Sequence, residues 1–150
     1  MRILFDTNIL ARAVMGPAGP AGEVLRLVVP PHVMVLSPFL VSEVSRVLRY
    51  ERMRRLHQMS DAEIDHALEE LESAAEMIAD VQLLPSAVVA ADPDDDPVLA
   101  AAVEGQADVI CTRDRHFQHA DVQVWCHDRG LQVMDDLELL ELLRNMNASG

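Results

Sequence analysis

The chain contains no lysine; all 12 of its Lys/Arg positions are arginine. Every strong cation is therefore a planar guanidinium suited to carboxylate or phosphate. Two cysteines, Cys111 and Cys126, are too few for a disulfide framework and form no CxxC pair, which suits a reduced cytoplasmic setting. Aromatics number only five, three Phe with one Tyr and one Trp, although half of the 150 residues are hydrophobic. The expected core is aliphatic. No apolar run approaches the roughly 18 residues of a membrane span. The opening run Arg2-Ile3-Leu4-Phe5 reaches Asp6 too soon for a targeting segment. Positive charge is scarce as well. The 25 acidic residues outnumber the basic ones about two to one and give a net charge of -13. That balance opposes broad, non-specific nucleic-acid binding. It leaves room for a local arginine-lined site and suits a basic partner protein.

A chain of this length is read as one domain over residues 1–146, with 147–150 as a frayed, disordered tail. It buries about 68–70% of its unfolded surface and needs no staples. Short apolar runs at Arg2–Phe5, Val33–Leu36, Ile78–Leu83, Asp108–Thr112 and Leu131–Met134 read as strands. Between them lie helical stretches: a turn at Ile9–Val14, then Ala21–Val28, and a helix from Ser37-Pro38 through Leu48. Ser60 and Glu63 form a capping box that opens a helix to about Ala75. Further helices are expected from Asp96 to about Glu104, over Asp121–Arg129 and over Asp136–Asn145. Strands alternating with helices predict an α/β fold with a mostly parallel sheet of about five strands and helices on both faces. Ligands of such sheets bind beyond the carboxyl ends of the strands.

Four acidic positions adjoin apolar elements. Asp6 ends the first strand, Glu43 borders the apolar stripe Leu40, Val44 and Val47, Asp96 opens a helix, and Asp114 follows the fourth strand. Asp96 belongs to the knot Asp92-Pro93-Asp94-Asp95-Asp96-Pro97, with four carboxylates in five residues. Two carboxylates about 4 Å apart repel by roughly 4 kcal/mol at an effective dielectric near 20. Such a cluster is either screened by water on an idle loop or used by a cation. Each acid also has a plain structural role: a turn or helix cap for Asp6, a surface position for Glu43, a cap for Asp96, and a pair with Arg113 or Arg115 for Asp114. Their convergence on one sheet edge favours the cation.

The ordered segments Ile3-Leu4-Phe5-Asp6-Thr7-Asn8, Ser42-Glu43-Val44, Asp94-Asp95-Asp96-Pro97-Val98-Leu99-Ala100-Ala101 and Ile110-Cys111-Thr112-Arg113-Asp114 resemble the PIN-domain nucleases. Within that family the likeness is to VapC-type toxins of toxin–antitoxin modules. The resemblance implies a three-layer fold, an acidic pocket for Mg²⁺ or Mn²⁺, hydrolysis of RNA to products with 5′-phosphates, a small antitoxin partner and a homodimer. By position, Asp6, Glu43, Asp96 and Asp114 match the family's catalytic, metal-holding acids. Thr7, Asn8 and Thr112 match polar neighbours. His116 stands where many relatives carry a further Asp, which weakens a second metal position; Asp94 and Asp95 are candidate compensation.

Arg46, Arg49 and Arg52 are candidate RNA contacts, set against a plain reading as cations at a helix's negative end. His116, His119 and Cys126-His127 have spacings that match no common zinc site. The acidic knot lacks the Gly and Glu of a calcium loop, having Pro97 and Val103 instead. A phosphatase with Asp6 as nucleophile, of the haloacid-dehalogenase type, needs an Asp where Asn8 stands and a pocket Lys. A non-catalytic partner-binding domain of the same fold is the other alternative.

Overall fold

The computed structural model describes residues 1–79 and 96–150. Among them five strands form one parallel sheet in the order β3-β2-β1-β4-β5. They are β1 (Arg2–Phe5), β2 (Val33–Leu36), β3 (Glu76–Met77), β4 (Val109–Cys111) and β5 (Gln132–Met134). The helices are α1 (Thr7–Met15), α2 (Pro20–Leu27), α3 (Pro38–Leu48), α4 (Glu51–His57), α5 (Asp61–Ala74), α6 (Asp96–Glu104), α7 (Ala120–His127) and α8 (Asp136–Ser149). A short 3-10 helix covers Arg115–Gln118.

The three central strands, β2, β1 and β4, are apolar on both faces because helices cover both. Alternation along each strand divides the core in two. Ile3 and Phe5, Met34 and Leu36, and Val109 and Cys111 join one cluster with Ile9, Leu10, Val44, Ile64 and Leu139. The intervening Leu4, Val35 and Ile110 join the other with Leu99, Ala102, Phe117 and Val122. The sheet is thus the middle of three layers.

Local signals set several boundaries. Ser37 caps α3 through its hydroxyl, with Pro38 at the first helical position. The Ser60–Glu63 box is present in both directions. Asp135 and Glu138 form a second box, unnoticed in the sequence, that opens α8. Gly22 lets the α1–α2 connection close: a Cβ there would lie 2.2 Å from the Pro17 carbonyl oxygen.

Three expectations need correction. The turn at Ile9–Val14 is a full helix, because Asp6 caps it from Thr7 onward. The edge strand expected at Ile78–Leu83 falls instead at Glu76–Met77, where two exposed residues pair with Val35 and Leu36; residues 80–83 lie outside the described residues. The final helix extends past Asn145 to Ser149, with the Ser149 hydroxyl donating to the Asn145 carbonyl at 2.9 Å.

Arg2 ties the amino edge of the sheet together. Its Nε donates to the Gly105 carbonyl and its Nη atoms to both oxygens of Glu76. The end of α6 is thereby held beside the start of β1.

Candidate active site

The carboxyl ends of β1 and β4 meet at Asp6. Its backbone N–H donates to the Cys111 carbonyl at 2.9 Å, so the two strand ends are in register where the polar residues begin. The side chain is 4% exposed. Its Oδ1 accepts from the Thr7 N–H at 2.7 Å; its Oδ2 accepts from the Thr112 hydroxyl at 2.7 Å and from Asn8 Nδ2 at 3.2 Å. A buried carboxylate with three donors is well supplied, yet two oxygens offer about four acceptor positions. Capacity for one more electropositive partner remains.

Burial pushes the Asp6 carboxyl above the usual carboxylate range. The Thr112 and Thr7 bonds oppose that rise, the charge of Asp114 adds to it, and Asn8 opposes it again. The contribution from Asp114 shows that the first and fourth acids share one local field. Thr112 links them physically, since its Oγ1 also accepts from the Asp114 N–H at 3.0 Å. Asp114 in turn caps the 3-10 helix, accepting from the His116 N–H at 3.0 Å, and His116 Nδ1 lies 3.2 Å from the same oxygen. Both acids are thus helix caps, joined through Thr112.

Asn8 holds the second layer. Its Nδ2 reaches Thr112 Oγ1 at 3.4 Å as well as Asp6, and its Oδ1 accepts from the Arg113 N–H at 3.2 Å. Arg113 does not pair with Asp114. Its guanidinium makes two bonds, 2.5 and 3.0 Å, to the carboxylate of Asp136, which is 1% exposed. This bracket fixes the loop after β4 to the start of α8. It was missed in the sequence, where only the doubled acid before an apolar helix hinted at it.

Glu43 lies in the second turn of α3, a helix that leaves the carboxyl end of β2 and packs on α1. Its half-buried carboxylate accepts from Arg46 Nη2. Asp96 is the first residue of α6, while Asp94 and Asp95 lie outside the described residues. Among the described residues no group of three or more His, Cys, Asp or Glu side chains is close enough to hold a metal ion.

The donor chemistry nevertheless fits a hard divalent cation. The acids here offer oxygen donors only, and a cation would offset both the burial of Asp6 and its repulsion with Asp114. Soft ligands are withdrawn: Cys111 is fully buried in β4, and burial together with Asp136, Asp135 and Asp6 raises its thiol far above the usual range.

The candidate RNA arginines divide. Arg49 is engaged within the fold, with Nη1 on Ser45 Oγ, Nη2 on Asp65 and Nε near Asp61. It bolts α3 to α5. Arg46 pairs with Glu43 and lies over the Tyr50 ring, and Arg52 is exposed on α4. Cys126, also buried, is pushed up to about 11 by desolvation.

The sequence profile of the PIN domain matches residues 2–116, a span that runs from β1 through Asp114 to His116. No curated protein matches the chain. The five-stranded parallel sheet between helical layers is the architecture this family has. With more than half of its length matched, the chain belongs to the PIN-domain family.

Proposed function

We propose that this protein is a Mg²⁺- or Mn²⁺-dependent endoribonuclease, and that it serves as the VapC-type toxin of a toxin–antitoxin pair. PIN domains are generally metal-dependent nucleases. The observation that carries the reading is Asp6: a buried carboxylate at the sheet's carboxyl edge, held by Thr7, Asn8 and Thr112 and repelled by Asp114. Holding that charge in the interior beside a second carboxylate is costly. A catalytic cation gives the arrangement a use.

The residues named for the cation are Asp6, Glu43, Asp96 and Asp114. When bound, the cation supplies Lewis acidity and charge neutralisation for phosphodiester hydrolysis. The chain's own contribution is placement. Thr112 and Thr7 hold the two Asp6 oxygens in one orientation, and Asn8 ties that orientation to the Arg113 backbone. In the overall reaction a water oxygen bonds to phosphorus and the bond to the ribose 3′-oxygen breaks. The 3′-oxygen takes a proton, and the downstream fragment keeps a 5′-phosphate.

The toxin reading is supported by the family likeness and by the net charge of -13, which suits a small basic antitoxin. The direct test is cleavage of RNA with Mn²⁺ or Mg²⁺, comparing wild type, Asp96→Asn and wild type with chelator. Cleavage by wild type alone supports the proposal. Equal cleavage in all three contradicts it.

A further inference from the structure

Seven of the chain's twelve arginines are spent on carboxylates within the described residues: Arg2 on Glu76, Arg46 on Glu43, Arg49 on Asp61 and Asp65, Arg54 on Asp61, Arg55 on Glu51, Arg113 on Asp136 and Arg144 on Glu23. Arg12 makes no ion pair among the described residues and is exposed on α1. It lines a cleft of about 370 Å³ together with Met15, Leu56, His57, Arg113 and Asp136.

The charges of that cleft do not cancel. Asp136 is neutralised by the two-bond pair with Arg113. His57 is fully engaged as a neutral ring, with Nε2 donating to the Leu48 carbonyl at 2.7 Å and Nδ1 accepting from the Met59 N–H at 2.9 Å. It offers a ring and no charge. The surplus is the Arg12 guanidinium, on a molecule that is otherwise strongly acidic. Beside it, Leu56 is 72% exposed, an apolar surface facing water at the same cleft.

The cleft adjoins the carboxylate site. Arg113 lines it, and the Arg113 backbone N–H is bonded to Asn8, which is bonded to Asp6. Arg12 follows Asn8 by four residues on α1, so the two share a helix face about 6 Å apart along the axis.

We propose that this cleft carries the backbone of single-stranded RNA into the carboxylate site, with Arg12 holding one phosphate and with Met15 and Leu56 against a sugar or base. The inference deepens the nuclease reading and rests on it. Guanidinium–phosphate pairing and an apolar surface under an unstacked nucleotide are the two elements that single-strand recognition combines. Arg12 is thereby a binding and positioning residue.

The test is binding of a fluorescein-labelled, single-stranded 12-nucleotide RNA by anisotropy, in chelator so that nothing is cleaved, across a salt series. Arg12→Gln is expected to weaken binding several-fold at low salt and to flatten the slope of log K against log salt by about 0.7. Arg12→Lys, which keeps the charge, is expected to retain the slope. Arg144→Gln, which removes an arginine paired with Glu23, is expected to bind as wild type. An unchanged affinity and slope in Arg12→Gln overturns the proposal, and is also what an acidic protein segment in the cleft would give. Wild-type RNA cleavage in Mn²⁺ is measured in parallel. Cleavage with Arg12→Gln binding normally sinks the cleft alone, whereas no cleavage by wild type sinks the nuclease reading.

Discussion

The Thr112 hydroxyl donates to Asp6 Oδ2 at 2.7 Å and joins the ends of two neighbouring strands through their first polar side chains. The residues are 106 positions apart, and the β1–β4 register, with Phe5 opposite Cys111, makes them neighbours. Thr112 favours the ionised form of Asp6 against burial. Thr112→Val removes that donor while keeping the shape. Loss of a buried hydrogen bond to a charged group costs on the order of 1–3 kcal/mol. The acid limb of the cleavage pH profile is expected to move to higher pH, because Asp6 then holds its proton more tightly. Thr112→Ser is expected to restore it. A profile unmoved in Thr112→Val would show that the bond does not tune Asp6.

The raised Asp6 also predicts a pH dependence of stability in protein freed of divalent cations. Below about pH 3.9, the ordinary Asp value, the carboxyl is protonated both folded and unfolded. As pH rises, the unfolded chain ionises first. Stability contributed by this group is lost progressively as pH passes through the raised folded-state value. Asp61, Glu63 and Glu76 are shifted the other way, by Arg54, by the Ser60 cap and by Arg2, and they oppose this trend. Those acids are common to wild type and Asp6→Asn, so the difference in Tm between the two isolates Asp6. Wild type is expected to fall relative to Asp6→Asn from about pH 4 towards neutrality. A constant difference would mean that Asp6 carries no excess burial cost.

Both thiols are buried and raised, Cys126 to about 11. The thiolate is the reactive form. Neither Cys111 nor Cys126 is expected to react with iodoacetamide at pH 8 in the native protein, whereas both react in denaturant. Mass spectrometry of the labelled chain reads this directly. Rapid native labelling of Cys111 would contradict its place in the core.

The apolar strands and the capping chemistry were legible because they are local. Arg2–Phe5 and Val33–Leu36 keep the boundaries read from the sequence, and Ser37-Pro38 and Ser60–Glu63 start helices as capping rules require. The α4 helix was not legible: none of its residues is buried, so no apolar stripe marks it. The Arg113–Asp136 bracket was hidden for the opposite reason, since it spans 23 positions and depends on the β4–β5 pairing. Asp6 and Asp114 could be placed at one sheet edge from strand ends alone. Their link through Thr112 needed the register. Glu43 was readable as an acid at the edge of an apolar stripe, and its partner Arg46 lies one turn on.

The central claim is that Asp6 and its neighbouring acids hold a divalent cation. Calorimetric titration of Mn²⁺ into wild type and Asp6→Asn tests it most directly, with circular dichroism confirming that the variant is folded. Saturable Mn²⁺ binding by wild type, lost or at least ten-fold weaker in Asp6→Asn (about 1.4 kcal/mol), is the predicted result. Equal Mn²⁺ affinity in the two proteins, or none in wild type, would contradict the account.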